Sequence, residues 1–167
     1  GGRTLFVNLS LSGVPIESDQ LDKSSRLSMQ VSYLKLDGTP IDISKLNQGV
    51  DFIAEVRIAH PGGAERNYED LALTQMFPSG WEIRNLRMDE TTSKLMRDIP
   101  QYQDIRDDRV FTYFDLTKSK VKKFRILLNA AYLGMFYLPA VTCSAMYDND
   151  IQAIKSGRWV EVVQAGK

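Results

Sequence analysis

The stretch VDFIAEVRIAH, Val50 to His60, decides how the chain folds. Val50, Phe52, Ala54, Val56 and Ile58 alternate with Asp51, Glu55 and Arg57. A repeat of two turns successive side chains to opposite faces, so the segment reads as a strand with one face on a core and the other in water. The same period runs outward in both directions. Leu5, Val7, Leu9 and Leu11 share a face in TLFVNLSL, and Leu27, Met29, Val31 and Tyr33 share one in LSMQVSY. DLALTQM, RVFTYFDL, KFRILLNAAYL and RWVEVVQ are further strands, the third being the most continuously apolar and therefore central. Turn chemistry falls between these runs at Asp37-Gly38, Pro61-Gly62-Gly63 and Pro78-Ser79-Gly80. Many strands joined by tight turns predict an all-β, antiparallel two-sheet β-sandwich. Helix is expected only as a short piece over TTSKLMRDI, Thr91 to Ile99, and a single turn at ISKLNQG. The polar stretch from Ile16 to Arg26 reads as a mobile loop.

The bulk properties agree with one domain over residues 1–167. A length of 167 residues suits a single core, and 43% hydrophobic residues are enough to fill it. Lys plus Arg and Asp plus Glu number 21 each, so no net field draws the chain to nucleic acid or an anionic membrane. No apolar run approaches the roughly 18–20 residues that span a bilayer, and no signal peptide is expected. A single cysteine forms no internal disulfide.

Catalytic chemistry is sparse. The only histidine, His60, abuts a Pro-Gly-Gly turn and reads as a surface residue rather than a general base. A zinc site needs a second His or a Cys cluster, and neither is present. In DIRDDRV, Asp104, Asp107 and Asp108 have the oxygen chemistry of a hard-cation site, but Arg106 and Arg109 are interleaved with them. Arg–carboxylate pairing accounts for the run without a metal, pinning a turn to a strand that carries Val110, Thr112 and Phe114 on one face. The one basic run, KSKVKKFR from Lys118 to Arg125, reads as a solvated hairpin end, and the Asn8-Leu9-Ser10 sequon falls inside a strand. Trp81, Tyr102 and Trp159 have the chemistry of an aromatic platform, the basis of an alternative reading as an independent carbohydrate- or protein-binding module. Three readings compete at VTCSAMYDND, Val141 to Asp150: a reactive thiol at Cys143, a metal loop at Asp148 and Asp150, or a loop that presses Met146 and Tyr147 onto a partner.

Several phrases in order resemble one family. They are YEDLALTQMFPSGWEI, YQDIRDDRVFTYFDL, AAYLGMFYLPAV and MYDND, preceded by LFVNLSLSGVP and LNQGVDFIAEVRI. Together they are similar to the C-terminal macroglobulin-like domain of bacterial alpha-2-macroglobulins, with FPSGWEI most like versions from Bacteroidetes-type bacteria. The resemblance implies a non-catalytic, cofactor-free domain of a much larger cell-envelope protein, typically periplasmic and often lipid-anchored, that traps attacking proteases. Thioester-bearing members carry a Cys-x-Glu-Gln motif in an upstream helical domain, and Cys143, in Thr-Cys-Ser-Ala, does not match it. In such members a Met-Tyr loop of the last domain packs over the thioester. By that resemblance Met146 and Tyr147 are the interdomain contact pair, with Ser144-Ala145 standing where many relatives have Ala-Glu; the alternative within the same family is a spacer domain in which the pair caps its own core. The implied partners are neighbouring domains of the parent chain and, through the parent, target proteases.

Overall fold

The computed structural model describes residues 22–62, 66–84 and 98–164. The expected strand TLFVNLSL, the sequon, and all but the last two residues of TTSKLMRDI lie outside them. The described residues form strands β1 (Lys23–Ser25), β2 (Ser28–Leu34), β3 (Lys45–Asn47), β4 (Asp51–Ala59), β5 (Tyr68–Met76), β6 (Trp81–Ile83) and β7 (Tyr102–Ile105). They continue with β8 (Arg109–Leu116), β9 (Val121–Ala130), β10 (Gly134–Leu138), β11 (Val141–Ala145), β12 (Gln152–Lys155) and β13 (Arg158–Val163). The fold is the expected all-β antiparallel sandwich. A six-stranded sheet, ordered β1-β12-β11-β5-β8-β7, faces a four-stranded sheet, ordered β2-β4-β9-β6. A three-stranded sheet, β10-β13-β3, closes over one end of the core.

Alternation places the core. On β4 the inward Val56 and Ile58 join one apolar cluster with Leu71, Leu73, Phe114, Phe124 and Cys143. Phe52 and Ala54, on the same face, join a second with Tyr33, Trp81, Ile126, Leu128, Val160 and Val162. One strand therefore runs across both halves of the core. On β8, Val110, Thr112, Phe114 and Leu116 are all fully buried, and Gln103 Nε2 donates to the Thr112 hydroxyl at 3.1 Å. Burying each large apolar side chain contributes about 1.5–3 kcal/mol, which is what holds the layers together against chain entropy.

Turns follow their residues. Gly38 takes the left-handed conformation (φ 87°), and the Asp37 carboxylate accepts from the Thr39 N–H at 2.8 Å. At Gly80 a Cβ would lie 2.3 Å from the Phe136 ring, so any larger residue would have to displace that ring from its place against the turn.

Four expectations change. ISKLNQG is not a helical turn: Lys45–Asn47 is strand β3, paired parallel with β13 because Leu46 buries beside Val162 in the core. Lys23–Ser25, within the expected loop, is strand β1 on β12, and Asp22 beside it ties to Lys155 and Ser156. Glu55, on the face assigned to water, is 2% exposed, since Arg57 and Arg125 close over it. His60 is likewise buried, at 5% exposure, with both ring nitrogens hydrogen-bonded.

Candidate interaction site

The chain from Val141 to Lys155 forms the β11–β12 hairpin, and its end carries Met146 and Tyr147. Inside the hairpin, Ala145 N–H donates to Ile151 O at 3.0 Å and Ile151 N–H to Asp148 O at 3.1 Å. The Asp148 side chain accepts from the Asp150 N–H at 3.1 Å, an Asx turn that fixes the tip. Val141, Cys143 and Ala145 point inward and are buried. Met146 and Tyr147 are 53% and 85% exposed.

The tip is also held from outside the hairpin. Met146 N–H donates to the Asp70 carbonyl at 3.0 Å, extending the β5–β11 ladder by one rung. Asp70 has φ 53° and sits in a β-bulge, where the register shifts between Tyr68 and Leu71. The bulge takes the Asp70 N–H out of the ladder, and the Asp115 carboxylate accepts it at 3.0 Å. Arg66 forms an ion pair with Asp148, and Arg26 lies 3.7 Å from Asp150. Beside the tip is a cleft of about 440 Å³ lined in part by Arg66, Asn67, Glu69, Asp70, Tyr147 and Asp148.

His60 supports this arrangement from below. Its ring stacks on Tyr68 with centroids 4.2 Å apart and an interplanar angle of 25°. The Gly62 N–H donates to Nδ1 at 3.0 Å, which leaves Nε2 to donate to the Arg66 carbonyl, also at 3.0 Å. Both ring nitrogens are satisfied, so the histidine can be buried, which corrects its reading as a surface residue. That role was not legible: Arg66 and Asp148 are 82 residues apart, and nothing in YED marks Asp70 as left-handed beyond the tolerance of Asp for that conformation.

The competing chemistries of VTCSAMYDND separate on this geometry. Burial pushes the Cys143 thiol up to about 12, which leaves it protonated and unreactive in the folded state. Asp148 and Asp150 face Arg66 and Arg26. Among the described residues no three His, Cys, Asp or Glu side chains group as a metal site.

The DIRDDRV residues lie at the other end of β8 from the tip. Arg106 Nε donates to Asp104 at 2.9 Å. Arg109 grips Asp108 with two nitrogens, at 2.8 and 2.7 Å, and holds that carboxyl below its ordinary value. Asp107 is exposed in the same bend. Backbone bonds close the turn, from Arg106 N to Arg109 O and from Phe77 N to Asp108 O. The pairs are solvent-facing, so they shape the turn more than they stabilise it. The proposed aromatic platform does not assemble. Trp81 is 3% exposed, edge-on to Phe52 at 4.9 Å and to Tyr33 at 6.1 Å, because it faces inward from β6. Tyr102 stands on the six-stranded sheet and Trp159 on the three-stranded one, both exposed. Among the described residues no helix is long and apolar enough to cross a membrane.

Comparison with known proteins adds the wider context. The family described as the bacterial alpha-2-macroglobulin MG10 domain matches residues 27–150. An alpha-2-macroglobulin homolog of Yersinia pestis is 26% identical over 168 residues, covering 88% of this chain and 8% of the relative. The chain thus spans a small fraction of the curated relatives it matches. The crystal structure of Salmonella alpha-2-macroglobulin reacted with methylamine superposes with a TM-score of 0.75 at 21% identity, over 90% of this chain and 10% of that one. The native conformation of Escherichia coli alpha-2-macroglobulin gives a TM-score of 0.75 at 17% identity, with the same coverage.

Proposed function

The chain belongs to the bacterial alpha-2-macroglobulin MG10 domain family, and from that premise we propose that residues 1–167 are one non-catalytic domain of a larger protease-trapping protein, docking on a neighbouring helical domain to hold the uncleaved state. The observation that carries this reading is the braced hairpin end that projects Met146 and Tyr147 into solvent. A solvated Tyr beside a solvated Met is apolar surface without a cover among the described residues, and covering it on a partner removes it from water. The thioether is adaptable, and the phenol adds one directed hydrogen bond to an apolar seal. An electrophilic acyl group on the partner would be shielded from water by such a seal. The reaction of the Salmonella relative with methylamine, an amine nucleophile, fits an acyl centre of that kind in the family. The parent then works outside the cytoplasm, in the periplasm, with its own neighbouring domains as first partners and proteases as targets. No cofactor or metal enters this role.

The test is to replace Met146 and Tyr147 with Ala in the full-length parent. Trapping of added protease, and the lifetime of any thioester in buffer, are expected to fall. Trapping and lifetime equal to wild type would defeat the docking reading.

A further inference from the structure

We propose that Arg66 and Asp70 are positioning residues that preset Met146 and Tyr147 in the conformation a partner domain receives; the inference rests on the docking reading above.

A hairpin end left free samples many conformations, and each one that does not present Met146 and Tyr147 outward weakens docking. Here the end is tied, and two of the ties come from one short piece of chain. Asp70 supplies a backbone carbonyl to the Met146 N–H at 3.0 Å, and Arg66 supplies a guanidinium to Asp148. The Asp70 carbonyl is available because of the bulge. Glu69 and Asp70 together stand opposite Asp115, and the extra residue turns the Asp70 N–H to the Asp115 side chain while its carbonyl faces β11. Arg66 is in turn anchored by its own carbonyl to His60 Nε2, inside the stack on Tyr68. The route therefore runs from the buried His60–Tyr68 pair through Arg66 to Asp148, and through the bulge to Met146. A tip ordered in advance loses less freedom on docking, which is how residues that never touch the partner can raise affinity.

The roles of the two residues differ. Asp70 acts through its left-handed backbone, so glycine should replace it and a β-branched residue should not. Arg66 acts through charge and reach, so lysine should serve in part.

The experiment is the rate of peroxide oxidation of Met146 in the full-length parent, read peptide by peptide, with the exposed Met135 as internal reference. Tyr147→Ala should raise the Met146 rate severalfold by loss of docking. Arg66→Ala, Asp148→Asn and Asp70→Val should each raise it severalfold with the Met135 rate unchanged; the thermal midpoint should stay put in the Arg66 and Asp148 variants and fall in Asp70→Val, whose β-branched side chain strains the left-handed backbone. Arg66→Lys should restore part of the protection, and Asp70→Gly should match wild type. The double variant Arg66→Ala/Asp148→Asn should exceed neither single variant, since both remove one pair. If Tyr147→Ala raises the rate while Arg66→Ala and Asp70→Val leave it at wild type, the positioning roles are overturned and docking stands. If Tyr147→Ala also leaves it at wild type, docking fails and this inference fails with it.

Discussion

Arg125 grips Glu55 across neighbouring strands, its Nε and Nη2 lying 2.6 and 2.5 Å from the same carboxylate oxygen. The two residues are direct partners in the β4–β9 ladder, and Arg57 donates to the other oxygen at 2.6 Å. Burial alone would raise the Glu55 carboxyl, but the two guanidiniums outweigh it and hold the group below its ordinary 4.5.

The first prediction follows from that triad. Glu55→Ala leaves two guanidiniums without their acceptor, with Arg125 mostly buried. The loss should be about 2–3 kcal/mol, read from the denaturant midpoint at pH 7. The sign with pH is set by a lowered folded value: the stabilisation is fully present above about 4.5 and drains away as pH falls toward the folded value. The gap between wild type and Glu55→Gln should therefore narrow in acid. A gap that is constant from pH 7 to pH 3 would contradict the charge pairing.

Asp22 gives a second acid-sensitive tie. Hydrogen bonds from Lys155 and Ser156 take its carboxyl down to about 2 from 3.8. Its contribution is complete above about 3.8 and is lost as pH falls through about 2, by the same sign rule. Half-exposed partners make the effect small, so its signature is local. Amide exchange in β1 and β12 should speed up in that window, and Asp22→Asn should bring the faster exchange to neutral pH.

Cys143 should behave as a core atom. Its strand lies between β5 and β12, its thiol points into the core, and burial pushes that thiol up to about 12. Iodoacetamide at pH 8 should label it only as fast as the domain unfolds. Labelling at the rate of a free thiol in native protein would show that β11 opens on its own.

Alternation made the main layers readable, because β2, β4, β8 and β9 each line the core with every second residue, although Ile53, Phe111, Tyr113 and Leu127 stand on the opposite faces. What alternation cannot show is which polar residue finds a buried partner. Glu55 needed Arg125, 70 residues away, and His60 needed the Arg66 carbonyl across a loop. The parallel pairing of β3 with β13 was hidden for a related reason: three residues carry too little pattern to announce a strand, and Leu46 is placed by a partner more than a hundred residues on. At the tip, MYDND named the exposed pair by resemblance, but the left-handed Asp70 that holds it belongs to a bulge, and bulges arise from pairing rather than from local composition.

Arg109 tests how little a visible ion pair can matter. Its two bonds to Asp108 are well formed, yet both side chains face solvent. Arg109→Ala should leave the melting temperature essentially unchanged, because the turn is closed by the Arg106 and Phe77 backbone bonds. Calcium or magnesium should not raise it either. A clear stabilisation by either cation would restore the metal reading of Asp104, Asp107 and Asp108.

Trp81 separates a core residue from a ligand platform. Its ring fills the space between Phe52 and Tyr33, and its indole N–H is buried with no acceptor among the described residues. Trp81→Ala opens a cavity and removes the transfer free energy of a large ring, so it should cost about 3–5 kcal/mol and unfold a marginal domain. Trp81→Phe leaves a smaller cavity and at the same time removes the orphaned donor, a group that costs about 1–3 kcal/mol to bury unpaired. The two effects oppose each other, so this variant should lie close to wild type in a denaturant titration. A platform residue would behave in the reverse way: Trp81→Ala would keep its stability and lose only binding. Stability loss with Ala and near-recovery with Phe therefore identifies the ring as packing between Phe52 and Tyr33.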